Sequence, residues 1–213
     1  MADLSIFLPG ILLAHAVSAV GLVSPGPNIL AVMGTSMSAG RKSGLALALG
    51  VSAGSFCWAC MTAAGVSAMI AAYSWALIVI KTVGGCYLLW LAFKAFRSAL
   101  SAHDIEPDAT AGNSKGNRTH FLRGLAIQMT NPKAALTWIA IISLGLQPGA
   151  PWWVAGIIVA GTSVLSLVAH CLYAIAFSST LAVRVYRRAR RWVQGLLGAF
   201  FAFAGLKLLT SRL

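Results

Sequence analysis

From Leu4 to Gly40 the chain carries no Asp, Glu, Lys or Arg, and comparable apolar runs recur along its whole length. A helix of about 20 apolar residues is enough to cross a bilayer, so this pattern constrains the fold more than any other feature. Six spans are expected, at about 5–38, 43–72, 76–96, 122–146, 152–178 and 192–210. Only 9% of the 213 residues are charged, against roughly 25% in soluble domains. The expected class is an all-α polytopic membrane protein with no room for an additional soluble domain.

The formal net charge of +12 invites a nucleic-acid reading. The basic residues form no single face, however; they lie in short segments between the apolar runs, as the positive-inside rule requires. Arg41 and Lys42 follow the first span. Lys94, Arg97, Lys115, Arg118 and Arg123 surround the connection after the third, and Arg184, Arg187, Arg188, Arg190 and Arg191 follow the fifth. The other two connections, "YSW" and "LQPGAPWW", are uncharged and aromatic. The basic segments are therefore expected in the cytoplasm and both termini outside, with no nucleic-acid partner. The 184–191 cluster reads as a solvated connector, with acidic lipid headgroups as the other reading. Asp3 and the lack of a basic n-region argue against a cleaved signal peptide.

Residues 98–121 are polar, small and mixed in charge, the composition of a flexible linker. They separate 1–97 from 122–213, three expected spans each. "GCYLLWLAFK" (Gly85 to Lys94) in the third span is echoed by "GAFFAFAGLK" (Gly198 to Lys207) in the sixth. An odd number of spans per half makes such repeats inverted, a recurrent plan of secondary transporters. The expected architecture is six helices as two inverted three-helix repeats within one transporter domain, with helices 1 and 4 broken.

The breaks are "SPGPN" at 24–28 and "TNPK" at 130–133. Pro25 and Pro27 have no N–H to give the carbonyls of Gly21 and Val23, and Gly26 lets the backbone turn between them. Pro27 suits the first position of a new half-helix. Asn131 suits an N-cap, with Pro132 at the first position after it. Lys133 lies ten residues beyond Arg123, roughly 15 Å into the membrane and near the midplane. The half-helix after Pro27 would run inward and the one after Pro132 outward, so their positive ends face each other. That arrangement attracts a carboxylate.

A lysine at this depth is costly unless it faces a cavity or a partner. The only acids are Asp3, Asp104, Glu106 and Asp108, none within a span. Either a substrate carboxylate pairs with Lys133, or its ammonium bonds the freed carbonyls as structural glue; the cost of an unpaired charge favours the substrate. Lys81, closer to the outer edge, suits snorkelling as well as a site role. His15 and His170 are intramembrane and suit helix–helix hydrogen bonding or proton coupling. Gly40/Gly44 and Gly50/Gly54 have the GxxxG spacing of close helix packing. Cys57 and Cys60 form a CxxC in an uncharged stretch without the activation redox chemistry needs. They read as small apolar residues.

"SPGPNILAVMGTSMSAGRKSGLALALGVSAG" (24–54), "KTVGGCYLLWLAFK" (81–94) and "NPK" (131–133) closely resemble the LysE-type translocator family, also called the lysine exporter or homoserine/threonine (RhtB) efflux family. The resemblance runs nearly end to end and adds Gly84, Gly85 and Tyr87 to the motif positions, Tyr87 in a supporting role. Ala92 stands where the family often has glycine. The resemblance implies a bacterial inner-membrane exporter of amino acids, driven by an ion gradient, without enzymatic activity or a cofactor.

A lysine or arginine substrate would bring a second cation, and this core has no carboxylate for it. A neutral amino acid such as threonine or homoserine is therefore expected. Its carboxylate would sit at Lys133, and its ammonium at the carbonyls near Gly21 and Val23 with Asn28, Gln128 and Asn131. Alternating access around the breaks, coupled to protons, is the expected mechanism. The other classes are a divalent-metal exporter, which needs clustered carboxylate, His or Cys ligands, and a thiol–disulfide carrier on Cys57 and Cys60. No metal site is expected. The partners are the amino acid and the bilayer, with homodimerisation left open.

Overall fold

The computed structural model describes residues 4–24, 26–72, 76–100, 116–145 and 150–210. They form seven helices: α1 (Leu4–Val23), α2 (Pro27–Ala72), α3 (Ala76–Leu100), α4 (Asn117–Met129), α5 (Pro132–Gly145), α6 (Trp152–Ala176) and α7 (Thr180–Thr210). There is no strand among the described residues. Among the described residues, four segments are long and apolar enough to cross a membrane, namely Leu4–Val23, Pro27–Gly65, Trp152–Ala176 and Arg188–Thr210. Burial is inverted relative to a soluble protein. Leu12, Phe93, Val164 and Leu196 are exposed, while Ser18, Thr35, Gln128, Asn131 and His170 are buried. Such apolar exterior suits lipid, not water. The protein is a multi-pass helical membrane protein.

Both expected breaks are present: α1 stops at Val23 before α2 starts at Pro27, and α4 stops at Met129 before α5 starts at Pro132. Three boundaries differ from expectation. The linker expected at 98–121 is helical at both ends, through Leu100 and from Asn117; residues 101–115 lie outside the described set. Polar residues such as Arg are good helix formers, and a helix does not have to stop at the membrane edge.

For the same reason the arginine segment 184–191, expected as a solvated connector ahead of a span starting at about 192, is helical and part of α7. Arg190 Nη2 donates to the Ser98 carbonyl at 3.0 Å, and Arg191 Nε to that of Ala99 at 3.2 Å. Cations thus satisfy the last carbonyls of α3, where the helix dipole is negative.

Gly40 is the third difference. It interrupts α2 at φ 82°, ψ 174°, and a Cβ added there would meet nothing within 4 Å. Its role is a left-handed turn rather than helix packing. Gly44, Gly50 and Gly54 do pack closely. A Cβ on Gly44 would lie 2.0 Å from Ser36 Oγ, and one on Gly54 2.9 Å from Gln128 Cβ. On Gly50 it would lie 1.9 Å from the Phe121 carbonyl oxygen; reciprocally, on Gly124 it would lie 2.2 Å from that of Leu47. Gly50, Gly54 and Gly124 bring α2 against α4, whereas Gly44 packs on Ser36 across the Gly40 turn of α2 itself.

Elsewhere α2 packs on α6, α3 on α7, and α1 on α5 and α6. The core runs through Leu88, Ile141, Ile158 and Phe201. In the α3–α7 pair, Leu209 fills the space at Gly85 and Phe96 fills the space at Gly198.

Candidate functional site

Proline geometry builds both sides of the site. Pro27 occupies the first position of α2, and the Leu30 amide donates to the Gly26 carbonyl at 2.9 Å. Pro132 likewise opens α5. Asn131 caps it, its Oδ1 accepting from the Lys133 amide at 3.0 Å and its carbonyl from Ala134 at 2.9 Å.

The two helix starts lie within one side chain's reach of each other. Lys133 Nζ reaches across to donate to the Ser24 carbonyl at 2.8 Å and lies 3.2 Å from Ser24 Oγ. An unbroken helix would give that carbonyl to the amide four residues on, at Asn28. Lys133 takes the place of the missing helix bond, and its side chain lies along Gly26. A Cβ on Gly26 would stand 3.1 Å from Lys133 Cδ and 3.2 Å from Nζ.

Beside this crossing lies a cavity of about 50 Å³, lined by Asn28, Gln128, Asn131, Lys133 and His170 among others. Asn28 Nδ2 donates to Gln128 Oε1 at 3.0 Å and lies 3.4 Å from His170 Nε2. His170 Nδ1 lies 2.7 Å from the Ser166 carbonyl, so Nδ1 is the donor and Nε2 accepts from Asn28. Ser18, Ser55 and Thr137 add hydroxyls to the wall, and Ile29, Trp138 and Ile141 add apolar surface. Asn131 Nδ2 is buried with no hydrogen-bond partner. Every Asp and Glu of the chain lies outside the described residues. The site therefore presents an ammonium, amides and hydroxyls, without a carboxylate among the described residues.

The family model described as LysE type translocator matches residues 19–212. The chain belongs to the LysE type translocator family. It is a transporter and not an enzyme. The "Threonine efflux protein" of Escherichia coli strain K12 is 30% identical over 91% of this chain and 94% of its own length. The "Leucine efflux protein" of Enterobacter sp. strain 638 is 27% identical over 83% of this chain and 84% of its own. An "Uncharacterized membrane protein" of Pseudomonas aeruginosa is 29% identical over 90% and 91%. No solved structure matches.

Of the residues singled out in the sequence of this translocator, the cavity gathers Asn28, Gln128, Asn131, Lys133 and His170, with the Gly21 backbone at its edge. Gly26 and Pro27 border a second cavity that also reaches Asn131 and Lys133. Tyr87 supports the site from below: its hydroxyl donates to the Lys133 carbonyl at 2.9 Å and lies 3.3 Å from Thr137 Oγ1.

Other candidates lie elsewhere. His15 does not line the cavity; its Nδ1 bonds the Ile11 carbonyl at 2.8 Å, and its ring packs against Gly161 of α6. Val23 is absent from the lining, and the freed carbonyl that finds a partner is that of Ser24. Pro25 and the side chains of Lys81 and Pro132 lie outside the described residues. Cys57 and Cys60 are free and exposed. No three His, Cys, Asp or Glu come together among the described residues.

Sequence reasoning missed Ser24 and Trp58, whose Nε1 donates to the Gln128 carbonyl at 3.1 Å. A serine at a proline break and an indole facing it were the available signals, but neither names its partner.

Proposed function

We propose that this translocator exports a neutral amino acid from the cytoplasm by alternating access, with the substrate carboxylate held between Lys133 and the N-terminal end of α2. One observation carries the reading. The Lys133 ammonium lies against Gly26, beside the positive end of a helix, and its described partners are only the neutral oxygens of Ser24. Two positive features share one place with no carboxylate among the described residues, and a substrate carboxylate would satisfy both. Ser24 acts as a stand-in, holding the lysine with neutral oxygens where the carboxylate would bind.

The remaining chemistry narrows the substrate. The carbonyl oxygens at the break and the amide oxygen of Asn28 suit an α-ammonium. The wall of hydroxyls with Ile29, Trp138 and Ile141 suits a short aliphatic or hydroxylated side chain. A second ammonium would have no counter-charge there among the described residues. The threonine and leucine named for the relatives are both neutral. At about 50 Å³ the cavity holds roughly one to three waters, so the helices must part to admit a substrate. In this reading the six spans form two inverted halves that rock about the breaks in the inner membrane, with both termini periplasmic. His170 couples the site to the proton gradient, since it alone of the two intramembrane histidines contacts the cavity.

The test is efflux of preloaded labelled amino acids from vesicles, scanned across side-chain classes. Neutral substrates should exceed lysine at least tenfold, the rough discrimination of a single unpaired charge near 1.4 kcal/mol or more. Lys133→Met should reach the membrane at the normal level and lose export. Normal export by that variant, or dominant export of lysine, would refute the assignment.

A further inference from the structure

Lys133 and Asn131 line not one cavity but two. The second, of about 450 Å³, extends from them past Gly26 and Leu30 to Trp90, Lys94, Ser98 and Gln194. Its volume falls within the range of small-molecule sites, whereas the inner cavity beside His170 measures only about 50 Å³. Of these two spaces, only the larger has room for a whole amino acid in this conformation. The Lys133–Ser24 bond stands at the wall between them.

The polar groups of the larger cavity are mostly donors. Lys94 and Lys133 both line it, and no carboxylate does so among the described residues. Asn131, which lines both cavities, has a buried Nδ2 without a hydrogen-bond partner. Lys94 Nζ sits 4.6 Å from the centroid of the Trp90 ring, a cation–π contact that fixes a side chain otherwise free to wander. The same indole, with Leu30 and Leu91, offers apolar surface next to the cation. An ammonium held beside an apolar wall is a receptor for a zwitterion whose carboxylate and side chain point different ways.

We propose that this cavity is a vestibule subsite that binds the substrate amino acid before it reaches the inner site, with Lys94 pairing to its carboxylate. The inference rests on the export reading above and adds a second binding position to it. By the positive-inside rule Lys94, with Arg97 one turn on, marks the cytoplasmic edge. The subsite then faces the compartment from which substrate is taken. Transfer inward is an exchange of carboxylate partner, from Lys94 to Lys133, as Lys133 releases Ser24. The buried Asn131 amide lies where the carboxylate would pass, which gives its unpaired Nδ2–H an acceptor during transfer.

Binding and transport separate the two sites. In protein with its native cysteines replaced, Ser98→Cys places a thiol in the vestibule, and a charged thiol reagent added from the cytoplasmic side reports access to it. A neutral amino acid at saturating concentration should slow labelling about fivefold or more. Lys94→Gln should abolish this protection and raise the half-saturating cytoplasmic concentration for export about fivefold to tenfold, with the maximal rate changed less than twofold. Lys94→Arg should restore both. In Lys133→Met, protection should persist although export is lost.

Absence of protection with Lys94 present, or protection indifferent to Lys94→Gln, would overturn the subsite. A Lys94→Gln variant losing maximal rate at unchanged half-saturation would do the same. Normal export by Lys133→Met would instead overturn the inner site, so the two failures are distinguishable.

Discussion

The α2–α4 crossing sets the geometry of the site, because it places Gln128 beside Asn28 and beneath Trp58. Gly50→Ala probes it directly. The added methyl would lie 1.9 Å from the Phe121 carbonyl oxygen and 2.9 Å from the Leu125 amide nitrogen, both backbone atoms of α4. Contacts under 3.0 Å are essentially never found, so α4 must recede by at least ~1 Å, and no flexible side chain can absorb the shift. Overpacking of this kind costs about 1–3 kcal/mol, while the gain in helix propensity from Gly to Ala returns about 1 kcal/mol.

Gly65→Ala, on the same helix with nothing within 4 Å, keeps the propensity gain without the clash. The assay is thermal unfolding of purified protein in nanodiscs, alongside efflux from vesicles. Gly50→Ala should melt several degrees below wild type and export slowly, because a 1 Å shift stretches the 3.0 Å Asn28–Gln128 bond out of range. Gly65→Ala should melt at or above wild type and export normally. Equal melting temperatures and equal export for the two variants would refute the close crossing.

Replacing Cys57 and Cys60 together by Ala should leave export intact, since both thiols are exposed on α2 away from the cavity; abolished function would point to the redox class. Tyr87→Phe should lower stability by about 1 kcal/mol, measured by thermal unfolding, and leave substantial export. The Lys133 carbonyl keeps a partner in that variant, because Thr137 Oγ1 also donates to it at 2.6 Å.

Both breaks were legible because proline acts locally: a missing N–H and a fixed φ need no knowledge of the neighbours. Asn131 as cap follows from the same local chemistry, and Lys133 from the cost of a cation at that depth. What escaped depends on the third dimension. Helix α1 is apolar nearly all round, so no amphipathic pattern told which face His15 would present; it turned to Gly161 rather than to the cavity. Spacing alone could not separate Gly40, which turns the backbone, from Gly44, which packs. The arginines of α7 looked like a connector because charge was read as the end of a helix. Here it marks only where the helix leaves the apolar layer, and the side chains then cap α3.

The order of two residues makes the breaks chemically unequal. In "TNPK" asparagine precedes proline, and Asn131 caps its own helix by taking the Lys133 amide. In "SPGPN" it follows proline. Asn28 stands one residue inside α2, past the capping position, and its side chain instead turns to Gln128 and His170. Helix α5 therefore has an amide of its first turn closed by a cap and contributes a lysine. Helix α2 keeps its N-terminal end without an asparagine cap and contributes a polar arm into the cavity.

Gly85 meets Leu209 and Gly198 meets Phe96, and the spacing that relates the two glycines also relates Phe96 to Leu209, two residues beyond the sequence echo. Two like breaks would bring two lysines or two capped ends together. In the proposed binding mode a carboxylate is better served by the unequal pair: Lys133 supplies the charge, and α2 supplies an N-terminal end without an asparagine cap.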